Sequence, residues 1–131
     1  MTPTILVVED NEQNLYLTTF LLESRGYRVV PARSGAEGLD LATRIRPELI
    51  VLDIQLPGMD GYAVARELRQ NPDLNETPIV AVTSYAMAGD RERVLAAGCS
   101  GYIEKPIDPG TFRDEIGSYL KAPSADGGSV S

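Results

Sequence analysis

Histidine and tryptophan are absent from the 131 residues of this chain, cysteine occurs once, lysine twice, and no purely aliphatic run exceeds four residues. Each shortage excludes something. Without histidine there is no Ser-His-Asp or Cys-His nucleophile, and the commonest general base, the commonest metal ligand and any histidine phosphodonor are missing. The single Cys99 has no second thiol for an internal disulfide and is too little for a structural zinc site, which points to a reducing, cytoplasmic compartment. The runs Ile5 to Val8 and Leu49 to Leu52 are far below the ~20 apolar residues needed to span a bilayer, and no basic residue precedes the first, so neither membrane insertion nor secretion is expected. Net charge is −7 and the pI is near 4.5, with no cluster of Lys or Arg. That balance lacks the basic footprint a phosphate backbone demands and argues against direct nucleic-acid binding.

What is present is an ordinary globular composition, 43% hydrophobic and 24% charged, at a length suited to one domain. Short β-branched apolar runs recur at Thr4 to Glu9, Arg28 to Val30, Leu49 to Asp53, Ile79 to Thr83 and, more weakly, Gly101 to Ile103, each fitting a strand buried on both faces of a parallel sheet. Helical segments lie between them. One spans about 11–25 and ends at Gly26; the next, 35–45, opens on the capping-box pair Ser34 and Glu37; the third, 60–70, stops before Pro72. A fourth, about 88–97, ends at Gly98, and the last, 109–121, has Asp108 as N-cap and Pro109 at its first position. Gly38, Leu41, Ala42 and Ile45 fall on one helical face, as do Val64, Ala65 and Leu68, and Phe112, Ile116 and Leu120. The alternation predicts an α/β fold, a doubly wound (βα)5 open parallel sheet of flavodoxin-like order 2-1-3-4-5 over residues 1–121. Residues 122–131 are small, polar and aperiodic, and read as a disordered tail or linker stub.

In an open α/β sheet, ligands bind beyond the carboxyl ends of the strands, where the strand order reverses. Strand one ends in Glu9-Asp10 and strand three in Asp53, so three carboxylates should meet in one crevice. Two carboxylates ~5 Å apart at an effective dielectric of ~20 repel by about 3 kcal/mol, so the group needs a cation or a proton. Mg²⁺, which takes carboxylate oxygens together with water and phosphate, suits Asp10 and Asp53, with Glu9 acting directly or through water. Taken singly, each acid could equally end a strand by chance or cap the following helix. Lys105, just past strand five, could reach a carboxylate or a phosphoryl oxygen, or be an ordinary loop lysine; Pro106 holds it extended and allows a cis bond. Thr83-Ser84 ends strand four and offers hydroxyls at the same edge.

Together these residues resemble the receiver domains of two-component response regulators, over residues 4–121. Val7 to Asn11 is similar to the family's acidic-pair motif, Leu52 to Gly61 to its phosphoacceptor strand and loop, and Lys105-Pro106 to its lysine and usually cis proline. The resemblance implies that Asp53 is phosphorylated, that Glu9, Asp10, Asp53 and the backbone carbonyl of Gln55 serve Mg²⁺, that Thr83 and Lys105 bind the phosphoryl group, and that Tyr102 is a switch aromatic. It implies a histidine kinase or histidine phosphotransfer protein as donor, a downstream effector protein as partner, and no enzymatic activity beyond self-phosphorylation and slow autodephosphorylation.

Two other strand-end chemistries fail on single positions. A haloacid-dehalogenase phosphatase needs an acid two residues after its nucleophile, where Gln55 stands, and a flavodoxin electron carrier needs a Ser/Thr-rich loop in place of Glu9 to Glu12. A pseudo-receiver that only binds partners conflicts with the intact set of site positions. The stretch Ala81 to Cys99 resembles stand-alone regulators of the DivK type and also hybrid-kinase receivers, and Met1 with a short tail favours the stand-alone form. Cys99 reads as a small buried hydrophobe, and Met59 and Met87 as partner contacts or packing. In helix one, Asn14, Leu17, Thr18 and Leu21 follow core spacing with Leu22 widening the stripe, which leaves Leu15, Tyr16 and Phe20 over. Leu15 and Tyr16 would then form a docking patch for the donor's helix, or Leu15 and Phe20 would tuck against helix five.

Overall fold

The computed structural model describes residues 2–56, 58, 60–84 and 89–121. Five strands, β1 (Thr4–Val8), β2 (Arg28–Ala32), β3 (Leu49–Asp53), β4 (Ile79–Thr83) and β5 (Gly101–Glu104), form one parallel sheet in the order β2-β1-β3-β4-β5. Helices α1 (Glu12–Glu23), α2 (Gly35–Ile45), α3 (Gly61–Gln70), α4 (Asp90–Ala96) and α5 (Pro109–Lys121) connect or follow them, with a 3-10 turn at Pro72–Leu74. Met59, Met87, the expected start of the fourth helix at 88 and the tail 122–131 lie outside the described residues. No helix among the described residues is long and apolar enough to cross a membrane.

Strand alternation divides the core in two. Leu6, Val8, Ile50, Leu52, Ile79 and Ala81 face α2, α3 and α4, whose Ala42, Val64, Ala65, Leu68 and Val94 complete that layer. Ile5, Val7, Leu49, Val51, Val80 and Val82 face Leu15, Leu21 and Leu22 of α1 and Phe112 and Ile116 of α5. Phe112 and Ile116 are fully buried. Burying a side chain of this size contributes ~1.5–3 kcal/mol, so both faces together fix the sheet's register.

Several local expectations shift. β2 runs on through Pro31 to Ala32, which is tolerated because β2 is an edge strand bonded on one side only. The capping box of α2 is half formed: the Ser34 hydroxyl accepts from Glu37 N–H, while the Glu37 carboxylate turns back to Arg33 N–H rather than to Ser34. Ile45, the last residue of α2, remains 36% exposed. On α1 the buried stripe is Leu15, Thr18, Leu21 and Leu22, whereas Leu17 is exposed. Leu15 therefore belongs to the core beside α5 and not to a docking patch, and Phe20 does not tuck inward but stands 58% exposed. Two overlapping apolar stripes exist in that segment, and packing between the sheet and α5 selects the one containing Leu15.

Candidate functional site

The carboxyl ends of β1 and β3 bring Glu9, Asp10 and Asp53 together, each offering a carboxylate oxygen within 4.8 Å of the others. Glu9 and Asp53 are buried and Asp10 is exposed. None of the three caps a helix. Asn11 does so for α1, its side chain accepting from Asn14 N–H at 2.9 Å, and Asp60 does so for α3, accepting from Tyr62 N–H at 2.9 Å. Relieved of capping, the acids turn toward the crevice. Glu9 stays tied to the frame: its own N–H donates to Ala32 O at 2.9 Å, and its carboxylate accepts from Asn11 N–H at 3.2 Å.

Lys105 follows β5 with its N–H bonded to Thr83 O at 2.8 Å, and its peptide bond to Pro106 is cis. Its Nζ lies 3.4 Å from Glu9 Oε1 and 3.4 Å from Asp53 Oδ2, so one ammonium is shared between two buried carboxylates. One cation does not balance the cluster. Burial first, then the hydrogen bond with Asp53 and its charge, push the Glu9 carboxyl up to about 7, against the lowering effects of Asn11 N–H and Lys105. A buried carboxyl near neutrality, hard oxygen donors and an excess of negative charge are the donor chemistry that suits a small divalent cation.

The other oxygen of Asp53, Oδ1, accepts from Gln55 N–H at 2.9 Å. Thr83 is buried at the end of β4, next to Val82, which pairs with Asp53. The Gln55 side-chain oxygen accepts from both Ser84 N–H at 3.0 Å and Ser84 Oγ at 2.7 Å. Tyr102, on β5 opposite Ala81, is half-buried and packs against the core cluster under α2, α3 and α4.

This geometry has counterparts. Residues 5–117 match the family model described as the response regulator receiver domain. The chain belongs to that family. It is 46% identical over 120 residues to the polar-differentiation response regulator DivK of Brucella ovis, covering 92% of this chain and 98% of that one. Its fold resembles the receiver domain of a Pseudomonas aeruginosa sensor histidine kinase solved with a magnesium ion in its active-site cleft, at TM-score 0.85 and 35% identity over 92% of this chain and 98% of the other. The Vibrio cholerae chemotaxis protein CheY4 superposes at TM-score 0.87 with 25% identity, covering 91% of this chain and 99% of that one.

Some features of this receiver's site are not readable from the residues in order. Gly61 is one: a Cβ there would sit 2.5 Å from Ile54 Cα and 2.9 Å from Asp53 O, so α3 starts pressed against the backbone that carries Asp53. Gly61 N–H also donates to Ile54 O at 3.2 Å. The Gln55–Ser84 contact is another, since it joins positions 29 residues apart. A third is the guanidinium of Arg93 over the Tyr62 ring, 4.4 Å from its centroid, tying α4 to α3 beside the crevice. Cys99 is buried, and burial pushes its thiol up to about 11 against the opposing charge of Arg69, which fits packing and not redox chemistry.

Proposed function

We propose that the folded unit, residues 1–121, is a phosphoacceptor that takes a phosphoryl group onto Asp53. The observation that carries this reading is the Asp53 carboxylate itself, buried between acids yet paired by Lys105 Nζ at 3.4 Å. An Asp53 oxygen attacks phosphorus, the bond from phosphorus to the donor's leaving group breaks, and an aspartyl phosphate forms. The Lys105 ammonium neutralises charge that builds on the phosphoryl oxygens, and the Thr83 hydroxyl binds one of them. Glu9, Asp10, Asp53 and the Gln55 backbone carbonyl would hold Mg²⁺, as the donor set allows. When bound, that ion supplies further neutralisation of the phosphoryl group.

The donor in this reading is a phosphohistidine of a histidine kinase or phosphotransfer protein, with which a receiver chain that itself contains no histidine is consistent. Tyr102 would turn inward as Thr83 moves toward the modified Asp53, and the face formed by α4, β5 and α5 would then change its affinity for an effector. The similarity to DivK over 98% of that regulator's length supports a stand-alone role. The similarity to a receiver carried by a sensor histidine kinase supports a second reading, a receiver within a hybrid kinase.

Intact-mass analysis with acetyl phosphate tests the central step. One phosphoryl adduct is expected with Mg²⁺, and none after chelation or in Asp53→Asn. Equal labelling of that variant, or labelling that survives a chelator, overturns the reading.

A further inference from the structure

The Gln55 side chain engages hydrogen-bond donors at the edge of the sheet where Asp53 ends β3. β3 and β4 are in register at Asp53 and Val82, and the pairing continues from Ile54 N–H to Val82 O at 3.1 Å. Gln55 and Ser84 each lie two residues beyond those paired positions, at the edge where Asp53 faces the crevice. There the Gln55 amide accepts two hydrogen bonds from one residue, Ser84 N–H at 3.0 Å and Ser84 Oγ at 2.7 Å. A backbone N–H can only donate, so the atom facing it is the carbonyl oxygen, whichever way an amide might be drawn. The same residue's N–H holds Asp53 Oδ1 at 2.9 Å. Residue 55 thus grips the carboxylate with its backbone and the Ser84 donors with its side chain.

Packing does not require this arrangement. Ser84 is exposed, so water could satisfy its N–H and hydroxyl as well as an amide oxygen does. What the arrangement does is occupy them. A phosphoryl group on Asp53 brings three strongly accepting oxygens to the same edge, and charge-assisted hydrogen bonds are about twice as strong as neutral ones. Ser84 would then be drawn from the amide oxygen to the phosphoryl oxygens, and breaking the first set subtracts from the gain of the second.

Resting on the phosphoacceptor reading above, we propose that the Gln55 side chain is a latch that competes with the phosphoryl group for the Ser84 donors. Gln55 is in this sense a positioning residue that lowers the crevice's affinity for a phosphoryl-shaped anion. It acts through Ser84, and its backbone role toward Asp53 is separate.

The test is a beryllofluoride titration of the whole chain in Mg²⁺, followed by amide NMR shifts, on wild type, Gln55→Met and Gln55→Leu. Both substitutions keep the backbone N–H and carbonyl and remove the side-chain acceptor. Binding is expected to tighten by roughly threefold to tenfold, the scale of one or two neutral hydrogen bonds released, with melting temperature nearly unchanged. A side chain that merely supports the fold, or whose amide donates to the anion, predicts the opposite direction. Wild-type binding with both variants equal or weaker overturns the latch alone. Failure of wild type to bind removes the phosphoacceptor reading and the latch with it.

Discussion

Three acids and one lysine share a crevice in which two of the acids are almost wholly buried. The repulsion among them is a standing cost of function, carried by the fold when no cation neutralises it. Asp53→Asn removes one charge without changing shape, so in chelator-containing buffer its melting temperature should exceed wild type by roughly 3–8 °C, equivalent to about 1–2 kcal/mol. Adding Mg²⁺ should raise wild type more than the variant and narrow that gap. A variant that melts no higher than wild type without metal would show that Lys105 alone balances the cluster. Gly61 carries a different constraint at the same scale. Its nearest neighbours are backbone atoms of Asp53 and Ile54, which cannot rotate away as a flexible side chain could. Gly61→Ala should destabilise by about 1–3 kcal/mol in chemical denaturation. It should also slow acetyl phosphate labelling by displacing Asp53, and full stability with full labelling would contradict the close approach.

Among the elements, α1 shows how far a hydrophobic pattern reaches. Its segment contains more apolar residues than one face can bury, and the helix exposes Tyr16 at 74%, Phe20 at 58% and Leu17 at 37%. The Tyr16 and Phe20 rings are stacked, with centroids 6.5 Å apart. The helix begins at Glu12, two residues after Asp10, so its first turn lies at the carboxyl edge that holds the crevice. The stripe one turn further on is a surface that a phosphohistidine-bearing helix aligned for in-line transfer would meet. Tyr16→Gln and Phe20→Gln should therefore slow transfer from a phosphohistidine donor at least severalfold. Acetyl phosphate labelling and melting temperature should stay close to wild type, because neither side chain is in the core. Unchanged phosphohistidine transfer, measured beside unchanged acetyl phosphate labelling, would remove the docking role.

For the whole molecule, the decisive property is that the crevice and the α4-β5-α5 face share one sheet. Thr83 ends β4, its carbonyl bonds the Lys105 N–H, and Tyr102 lies on the strand that leads into Lys105. A continuous backbone connection therefore links Thr83 to β5, the route by which a shift at Thr83 would reach Tyr102. Beryllofluoride in Mg²⁺ should move amide resonances at Tyr102, in α4 and along the exposed side of α5 as well as near Asp53. Changes confined to the crevice would mean that the two regions are uncoupled.

The order of the strands, the acids at the ends of the first and third, Thr83 after the fourth and Lys105 after the fifth were all legible in the chain. Apolar runs separated by single helices admit few topologies, and a topology assigns strand ends to one edge. Local capping chemistry was legible in part, with Ser34, Asp108 and the stops at Gly26 and Gly98 readable from residue type. The rotation of α1 was not, because two apolar stripes overlap there and only packing against the sheet and α5 chooses Leu15 over Leu17. Nor were the grip of Gln55 on Ser84, the press of Gly61 on the Asp53 backbone, or the sharing of Lys105 between Glu9 and Asp53. The sequence by itself determined which chemical groups reach the carboxyl edge, since that follows from periodicity and strand order. Only the tertiary structure decided which of them touch, because hydrogen bonds and ion pairs depend on ångström-scale register between segments far apart in the chain.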